Sequence, residues 1–368
     1  MRTFCFPTRP VITGAASVVG IKEGQGPQSE WFDKILQDDY YGEKTFEKAE
    51  SKMLKNAMSM AIENAGLKKN VIDVMLSGDL LNQLMSSSYM ARDVGIPYLG
   101  LYGACSTMTQ SMLMASVLVD GGYCRHTLAG ASSHFATAER QFRMPLEHGN
   151  QRPPQAQWTA TAAGAVVISQ ATEAKYLTGS GSSESAGPGS RGGASSDRSP
   201  CHVLHITHGT VGRVVDPAVT DSNFMGAAMA PAAFDTIRVH LTDTGRTAAD
   251  YDLILTGDLG RTGKKILMDL ALKKSHKDSI ENSVFYGFRK VYEDCGAIMY
   301  DDSQDTHSGG SGCGCSASLI AGRIIKELRT GKYKRVMLVS TGALMSTISK
   351  QQGETVPGIA HAVTVEVS

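Results

Sequence analysis

The chain repeats itself at a fixed distance. Leu101-Tyr-Gly-Ala-Cys-Ser-Thr-Met opens an apolar helical run that ends in Gly121-Gly-Tyr-Cys-Arg, and Gly312-Cys-Gly-Cys-Ser-Ala-Ser-Leu opens another that ends in Gly331-Lys-Tyr-Lys-Arg. Cys105 and Cys315, Gly121 and Gly331, Tyr123 and Tyr333, and Arg125 and Arg335 are each 210 residues apart. Upstream, Val71-Ile-Asp-Val-Met-Leu-Ser-Gly-Asp-Leu matches Tyr251-Asp-Leu-Ile-Leu-Thr-Gly-Asp-Leu, with Gly78 and Gly257 separated by 179. Internal similarity of this kind makes the fold two copies of one unit, and such copies pack face to face about a pseudo-dyad.

Each copy holds a buried strand ending in Ser/Thr-Gly-Asp-Leu, then a Gly-rich turn with Cys-Ser opening a helix. A second strand follows, over Thr127–Ala131 in the first copy and Val336–Ser340 in the second. Apolar runs alternating with amphipathic segments predict β-α-β units and a mainly parallel sheet, an α/β fold. Met53, Leu54, Ala57, Met60 and Ala61 recur at helical spacing and predict a helix over Thr45–Ala65; Ser316–Leu328 reads the same way. Between the copies, 14 of the 22 residues of Thr178–Ser199 are glycine or serine. Such a segment cannot bury enough apolar surface to fix its backbone, which predicts a flexible insertion. The expected organisation is an N-terminal lobe over 1–177, the insertion at 178–199 and a C-terminal lobe over 200–368.

Several function classes drop out. Lysine and arginine (36) balance aspartate and glutamate (36), with no basic run, so a nucleic-acid partner is not expected. No apolar run is long enough to span a bilayer, and Met1–Pro10 is too interrupted to be a secretory signal. Seven scattered cysteines argue against a disulfide framework, and only Cys313-Gly-Cys315 is closely spaced, so no metal site is expected. Gly257-Asp-Leu-Gly-Arg-Thr-Gly-Lys-Lys lacks the spacing of a phosphate loop, and Gly14-Ala-Ala-Ser-Val-Val-Gly that of a dinucleotide fingerprint. No cofactor is implied.

A doubled β-α-β lobe with cysteine at a strand-to-helix turn resembles the thiolase-like fold, within it most nearly the type III ketoacyl-carrier-protein synthases. That resemblance implies duplicated lobes in layers α-β-α-β-α. Gly103-Ala-Cys-Ser-Thr-Met looks like that family's nucleophile turn, and Thr161-Ala-Ala-Gly-Ala-Val-Val like its Gly/Ala-rich strand. Four further strings are more specific. Gly103-Ala-Cys-Ser-Thr-Met, Gln155-Ala-Gln-Trp-Thr, Gly309-Gly-Ser-Gly-Cys-Gly-Cys-Ser-Ala and Pro357-Gly-Ile-Ala-His-Ala-Val together resemble the stage V sporulation protein AD family. The resemblance implies a role in dipicolinic acid uptake into the endospore. It also implies a soluble homodimer held peripherally at the spore inner membrane, with other stage V sporulation A membrane proteins as partners.

Cys105 opens a helical run over Thr107–Leu118, and N–H groups at a helix start lower a thiol's pKa, as a nucleophile requires. The alternative is a small buried residue at a tight turn. In type III synthases a histidine and an asparagine assist the thiolate; by alignment Gly257 takes the histidine position, and the Gly309–Gly312 turn carries no amide. Condensation is therefore not expected, and Cys105 reads as a vestigial nucleophile. The candidate ligand-binding set is Cys105, Ser106 and Thr107 from the first turn, Ser311 and Cys313 from the second, Thr256 and Asp258 from the strand between, and His134, His307 and His361. Arg140 or Arg143 could reach the pocket mouth.

The expected function is non-catalytic binding of dipicolinic acid, or its calcium chelate. The two Cys-Ser helix starts would converge, each donating N–H groups to one carboxylate. The rivals are a cysteine-dependent acyltransferase and a structural subunit of a membrane complex.

Overall fold

The computed structural model describes residues 1–142, 152–176, 202–278 and 282–368. Arg143 and the Gly/Ser-rich 178–199 insertion lie outside the described residues.

Ten strands carry the architecture: β1 Val11–Val19, β2 Val74–Gly78, β3 Tyr98–Gly100, β4 His126–Ser133, β5 Ala162–Ser169, β6 Leu204–Thr210, β7 Leu253–Thr256, β8 Tyr292–Asp294, β9 Arg335–Ala343 and β10 Gly358–Val367. The first five lie in the order β3-β2-β4-β5-β1 and the second five in the order β8-β7-β9-β10-β6. The orders are the same: each half has one reversed strand, β5 or β10, antiparallel to both its neighbours, while the outer three run parallel. The halves meet along β1 and β6, where Val11 pairs with His205.

Among the helices of the described residues, these position the site: α1 Phe46–Asn64, α2 Thr107–Asp120, α3 Phe135–Phe142, α4 Met225–Thr244, α5 Gly260–Lys277 and α6 Cys313–Leu319. Helix α1 packs on β1, β4 and β5, and α4 on β9 and β10, forming the outer layers. Between the halves, α2 touches β2 and β4 on one side and β9 and β10 on the other, while α6 lies on β1, β4 and β5. Three apolar clusters fill the spaces, one between the halves and one under each outer layer. Five layers, α-β-α-β-α, result.

The predicted elements sit where their residues dictate. Thr45 caps α1 by accepting from Lys48 N–H at 3.3 Å, so the helix starts one residue inside the expected span. The helical run after Cys315 is longer than expected and contains a π turn over Ile320–Ile324 before it ends at Arg329. The Gly/Ala-rich strand β5 has a packing cause. A Cβ on Gly164 would stand 2.1 Å from Ala317 O, and one on Gly314 would stand 2.2 Å from Ala162 O, so helix α6 rests on bare strand backbone.

The duplication extends to charge. Asp73 accepts from the N–H groups of Arg125 and His126, and Arg125 in turn pairs with Glu173 at 2.7 Å. In the second half Asp252 accepts from Lys334 and Arg335 N–H, and Arg335 pairs with Glu366 at 3.0 Å. Each clamp fixes where a central strand begins.

Candidate functional site

The two repeated turns meet at the centre of the molecule. Gly103–Cys105 leads into α2 with Ala104 at φ 49°, a left-handed conformation unfavourable for a residue with a Cβ. Ser106 Oγ donates to Gly103 O at 2.7 Å and Thr107 Oγ1 to Ala104 O at 2.7 Å, which holds the turn closed. Across from it, β9 approaches so closely that a Cβ on Gly342 would lie 2.3 Å from Gly103 O.

Asp258 lies between the turns. It is fully buried and accepts from Gly312 N–H at 3.0 Å, from Thr341 Oγ1 at 2.7 Å and from the Cys105 thiol. Burial raises its carboxyl pKa to about 7 against those hydrogen bonds. Burial likewise pushes the Cys105 thiol well above its ordinary value, and the Asp258 charge adds to the rise. The expectation of a helix-activated thiolate is thus reversed: desolvation and a neighbouring carboxylate outweigh the helix start.

The convergence expected of free N–H donors also differs. Ser106 and Thr107 N–H are spent on Gly103 and Ala104 carbonyls, Gly312 N–H on Asp258, Gly314 N–H on Ser133 Oγ, and Cys315 N–H on Gly312 O. The protein supplies its own acceptors at both turns, including a carboxylate where a ligand carboxylate was expected.

Beside Cys105 is a cavity of about 30 Å³, room for a water or two. Its walls include Tyr102, Phe142, Thr159, Met225, Ser311 and Met345, with no lysine, arginine or histidine among the described residues. Among the described residues, Ser311 Oγ is buried there without a hydrogen-bond partner. Tyr102, Phe142 and Met345 also border an outer cleft of about 280 Å³, together with Leu81, Asn82, Gln83, Leu84 and Ser346. Three side chains thus separate the small inner cavity from the larger cleft. At the cleft's edge Gln83 and Leu84 both have positive φ, 55° and 54°.

Of the expected ligand contacts, Cys105 and Ser311 line the cavity and Asp258 stands behind Cys105. Cys313 is buried, its thiol donating to Ser132 O at 2.8 Å. Thr256 Oγ1 donates instead to Asp294, 2.7 Å away. The histidines do not line the cavity. His134 Nδ1 accepts from Ala136 N–H at 3.2 Å, which leaves Nε2 to donate to Asp39 O at 2.9 Å. His361 Nδ1 accepts from Gly212 N–H at 3.2 Å, and burial lowers its pKa to about 4. His307 is half-buried, with Nε2 3.8 Å from Asp305. Arg140 pairs with Glu47. Sequence reasoning missed Thr341, and it missed Tyr102, Phe142 and Met345; Tyr102 lies in the first repeated string but was not singled out, and the other two carry no motif. Among the described residues no cluster of ligating side chains suits a metal ion.

Gly257, which the sequence alignment sets at a catalytic histidine's position, has no room for a side chain. A Cβ there would stand 2.9 Å from Ser340 Cα and 3.0 Å from Thr341 N, both backbone atoms of β9.

Sequence comparison decides the family. The profile described as stage V sporulation protein AD matches residues 1–366. The chain belongs to the stage V sporulation protein AD family. The Bacillus subtilis (strain 168) stage V sporulation protein AD is 42% identical over 365 residues, which cover 99% of this chain and 96% of that protein. Solved structures similar to this family member are condensing enzymes and thiolases. The 3-oxoacyl-[acyl-carrier-protein] synthase III of Aquifex aeolicus VF5 has a TM-score of 0.52 at 11% identity, over 97% of this chain and 99% of that one. Cerulenin-bound OleA of Xanthomonas campestris has a TM-score of 0.55 at 12% identity, over 97% of this chain and 96% of that one. Human mitochondrial 3-ketoacyl-CoA thiolase has a TM-score of 0.54 at 13% identity, over 98% of each chain. At these identities the likeness establishes a thiolase-like fold for this member of the sporulation family. Among its described residues no helix is long and apolar enough to cross a membrane.

Proposed function

We propose that this sporulation protein is a binding member of the thiolase-like fold that takes up dipicolinic acid as its calcium chelate, and that it is not a condensing enzyme. The observation that carries the loss of catalysis is Gly257: backbone of β9 fills the space a catalytic side chain would need. The protonated, hydrogen-bonded Cys105 supports the same reading, since a thiol is a far weaker nucleophile than a thiolate.

The ligand follows from the family's sporulation role and from the chemistry of the cleft. Tyr102, Phe142 and Met345 form the partition between cleft and cavity, and their displacement would open one apolar slot for a planar ring. Asn82, Gln83 and Ser346 offer polar contacts at the rim. Asp258 lies behind the cavity and, among the described residues, no cation lines it, so a free dianion would be buried there without a counter-charge. The calcium chelate, whose charges cancel, avoids that cost. The same reading takes the protein to be a homodimer serving other stage V sporulation A membrane proteins.

Calorimetry with dipicolinate, with and without calcium, tests this. The chelate should bind and the free dianion more weakly, and Phe142→Ala should alter the affinity while leaving the fold intact by circular dichroism. Absence of binding in both forms, or tighter binding of the free dianion, overturns the reading. A stable acyl adduct on Cys105 after incubation with acyl thioesters would favour an acyltransferase instead.

A further inference from the structure

The far end of helix α5 and the loop after it carry a charge that the rest of the chain balances. Residues 260–291 hold eight lysines and arginines against three acids, in a sequence with 36 of each overall. Some of these cations are neutralised: Lys264 pairs with Glu293, Lys274 with Asp278 at 2.5 Å and Arg261 with Asp302 at 2.6 Å. Lys265, Lys273, Lys277, Arg289 and Lys290 are exposed, and none of them forms an ion pair among the described residues. Lys265, Lys273 and Lys277 lie on one broad face of α5, which also carries the exposed Asp269 between the first two.

Two of these cations, Arg289 and Lys290, border apolar surface. A groove of about 440 Å³ is walled by Leu272, Phe285, Phe288 and Val291, with Arg289 and Lys290 on its rim. The ring of Tyr286 stands beside it, 46% exposed. The other groove rich in lysine has a different character. There Lys52 is paired with Glu43 at 3.2 Å and Arg92 with Asp93 at 3.0 Å, and the walls are mostly polar or charged.

We propose that the α5 face docks on an anionic lipid surface. Lysines on long stems act as mobile point charges, which suits a plane of diffuse negative charge more than one fixed carboxylate. A tyrosine among them has an apolar ring and a polar hydroxyl, the combination favoured where headgroups meet acyl chains. The apolar groove behind it adds contact area once the charges have brought the surface close. The inference does not depend on the ligand assigned to the Cys105 cavity, because the two lie on different elements.

Co-sedimentation with vesicles tests it. The full chain should bind phosphatidylcholine vesicles that contain phosphatidylglycerol, bind pure phosphatidylcholine weakly, and release as salt is raised. The double variant Lys273→Glu with Arg289→Glu should lose roughly tenfold or more in partitioning. Lys48→Glu with Lys55→Glu, which makes the same charge change on the other groove, should partition like the unaltered protein. Tyr286→Ala should weaken binding without changing its salt dependence. Circular dichroism confirms that each variant folds. If the unaltered protein ignores the phosphatidylglycerol vesicles, or if the two double variants lose binding equally, the assignment of this face fails. Loss of an acidic protein partner by the α5 variant, without any vesicle binding, would also overturn it.

Discussion

The Cys105 thiol donates its hydrogen bond to the Asp258 carboxylate, and that contact sets the chemistry of both groups. It stabilises the thiol form of the cysteine and the ionised form of the acid. Asp258 in turn holds Gly312 N–H and Thr341 Oγ1, so one side chain ties the two repeated turns and β9 together.

Cys105 should therefore be inert. Cys5 is exposed and provides an internal reference. Iodoacetamide at neutral pH should alkylate Cys5 while Cys105 reacts more slowly by about tenfold or more, read from peptide masses. Asp258→Asn removes the neighbouring negative charge and should speed the Cys105 reaction. Equal alkylation of the two cysteines in the unaltered protein would contradict the assignment.

Removing the acceptor altogether should be costly. Asp258→Ala leaves three buried donors without a partner and should lower stability by about 3 kcal/mol, measured by urea unfolding. Asp258→Asn keeps an acceptor oxygen and should cost clearly less. Similar losses for the two substitutions would show that charge, not hydrogen bonding, holds the turns.

Gly257 offers a steric test. Gly257→Ala pushes a methyl into β9 backbone and should destabilise by about 2 kcal/mol. Gly257→His should cost more and should not restore condensation of acyl and malonyl donors. Turnover by that variant would mean that the strand yields to admit a catalytic group.

Stability should fall as pH rises from about 6.5 to about 8. Burial raises Glu50 from 4.5 to about 8, Glu23 from 4.5 to about 7 and Asp258 from 3.8 to about 7. Over the interval between each pair of values the folded chain holds a proton that the unfolded chain has released, so rising pH favours unfolding. His240 and His361, lowered by burial from 6.5 to about 3 and about 4, act in the opposite sense, but only below their unfolded value. Melting temperatures across the upper window isolate the acids, and Glu50→Gln should flatten the slope. A melting temperature that climbs over this window would refute the argument.

The sequence made the architecture legible because duplication leaves marks that do not depend on distance in space. The 210-residue and 179-residue offsets identified the matching strands, and the matching halves carry the same strand order. The helix over Thr45–Ala65 was readable from its apolar spacing, a local signal. The partition of Tyr102, Phe142 and Met345 was not readable, because those residues come from separate segments and meet only in the folded chain.

The sharpest division falls on Asp79 and Asp258, which occupy the same place in the repeated Gly-Asp-Leu string. By itself the sequence determined that both follow a buried strand. Only tertiary structure decided what each does. Asp79 accepts from Leu81 and Ser87 N–H, a local capping role for the chain that follows it. The equivalent start, that of α5, is served instead by Asp294, which accepts from Leu259 and Gly260 N–H at 3.0 and 2.9 Å. With that duty taken by a neighbouring strand, Asp258 satisfies Gly312, Thr341 and Cys105 at the centre. The string specifies where a carboxylate stands along the chain, but its partners are the unpaired donors that folding brings within reach.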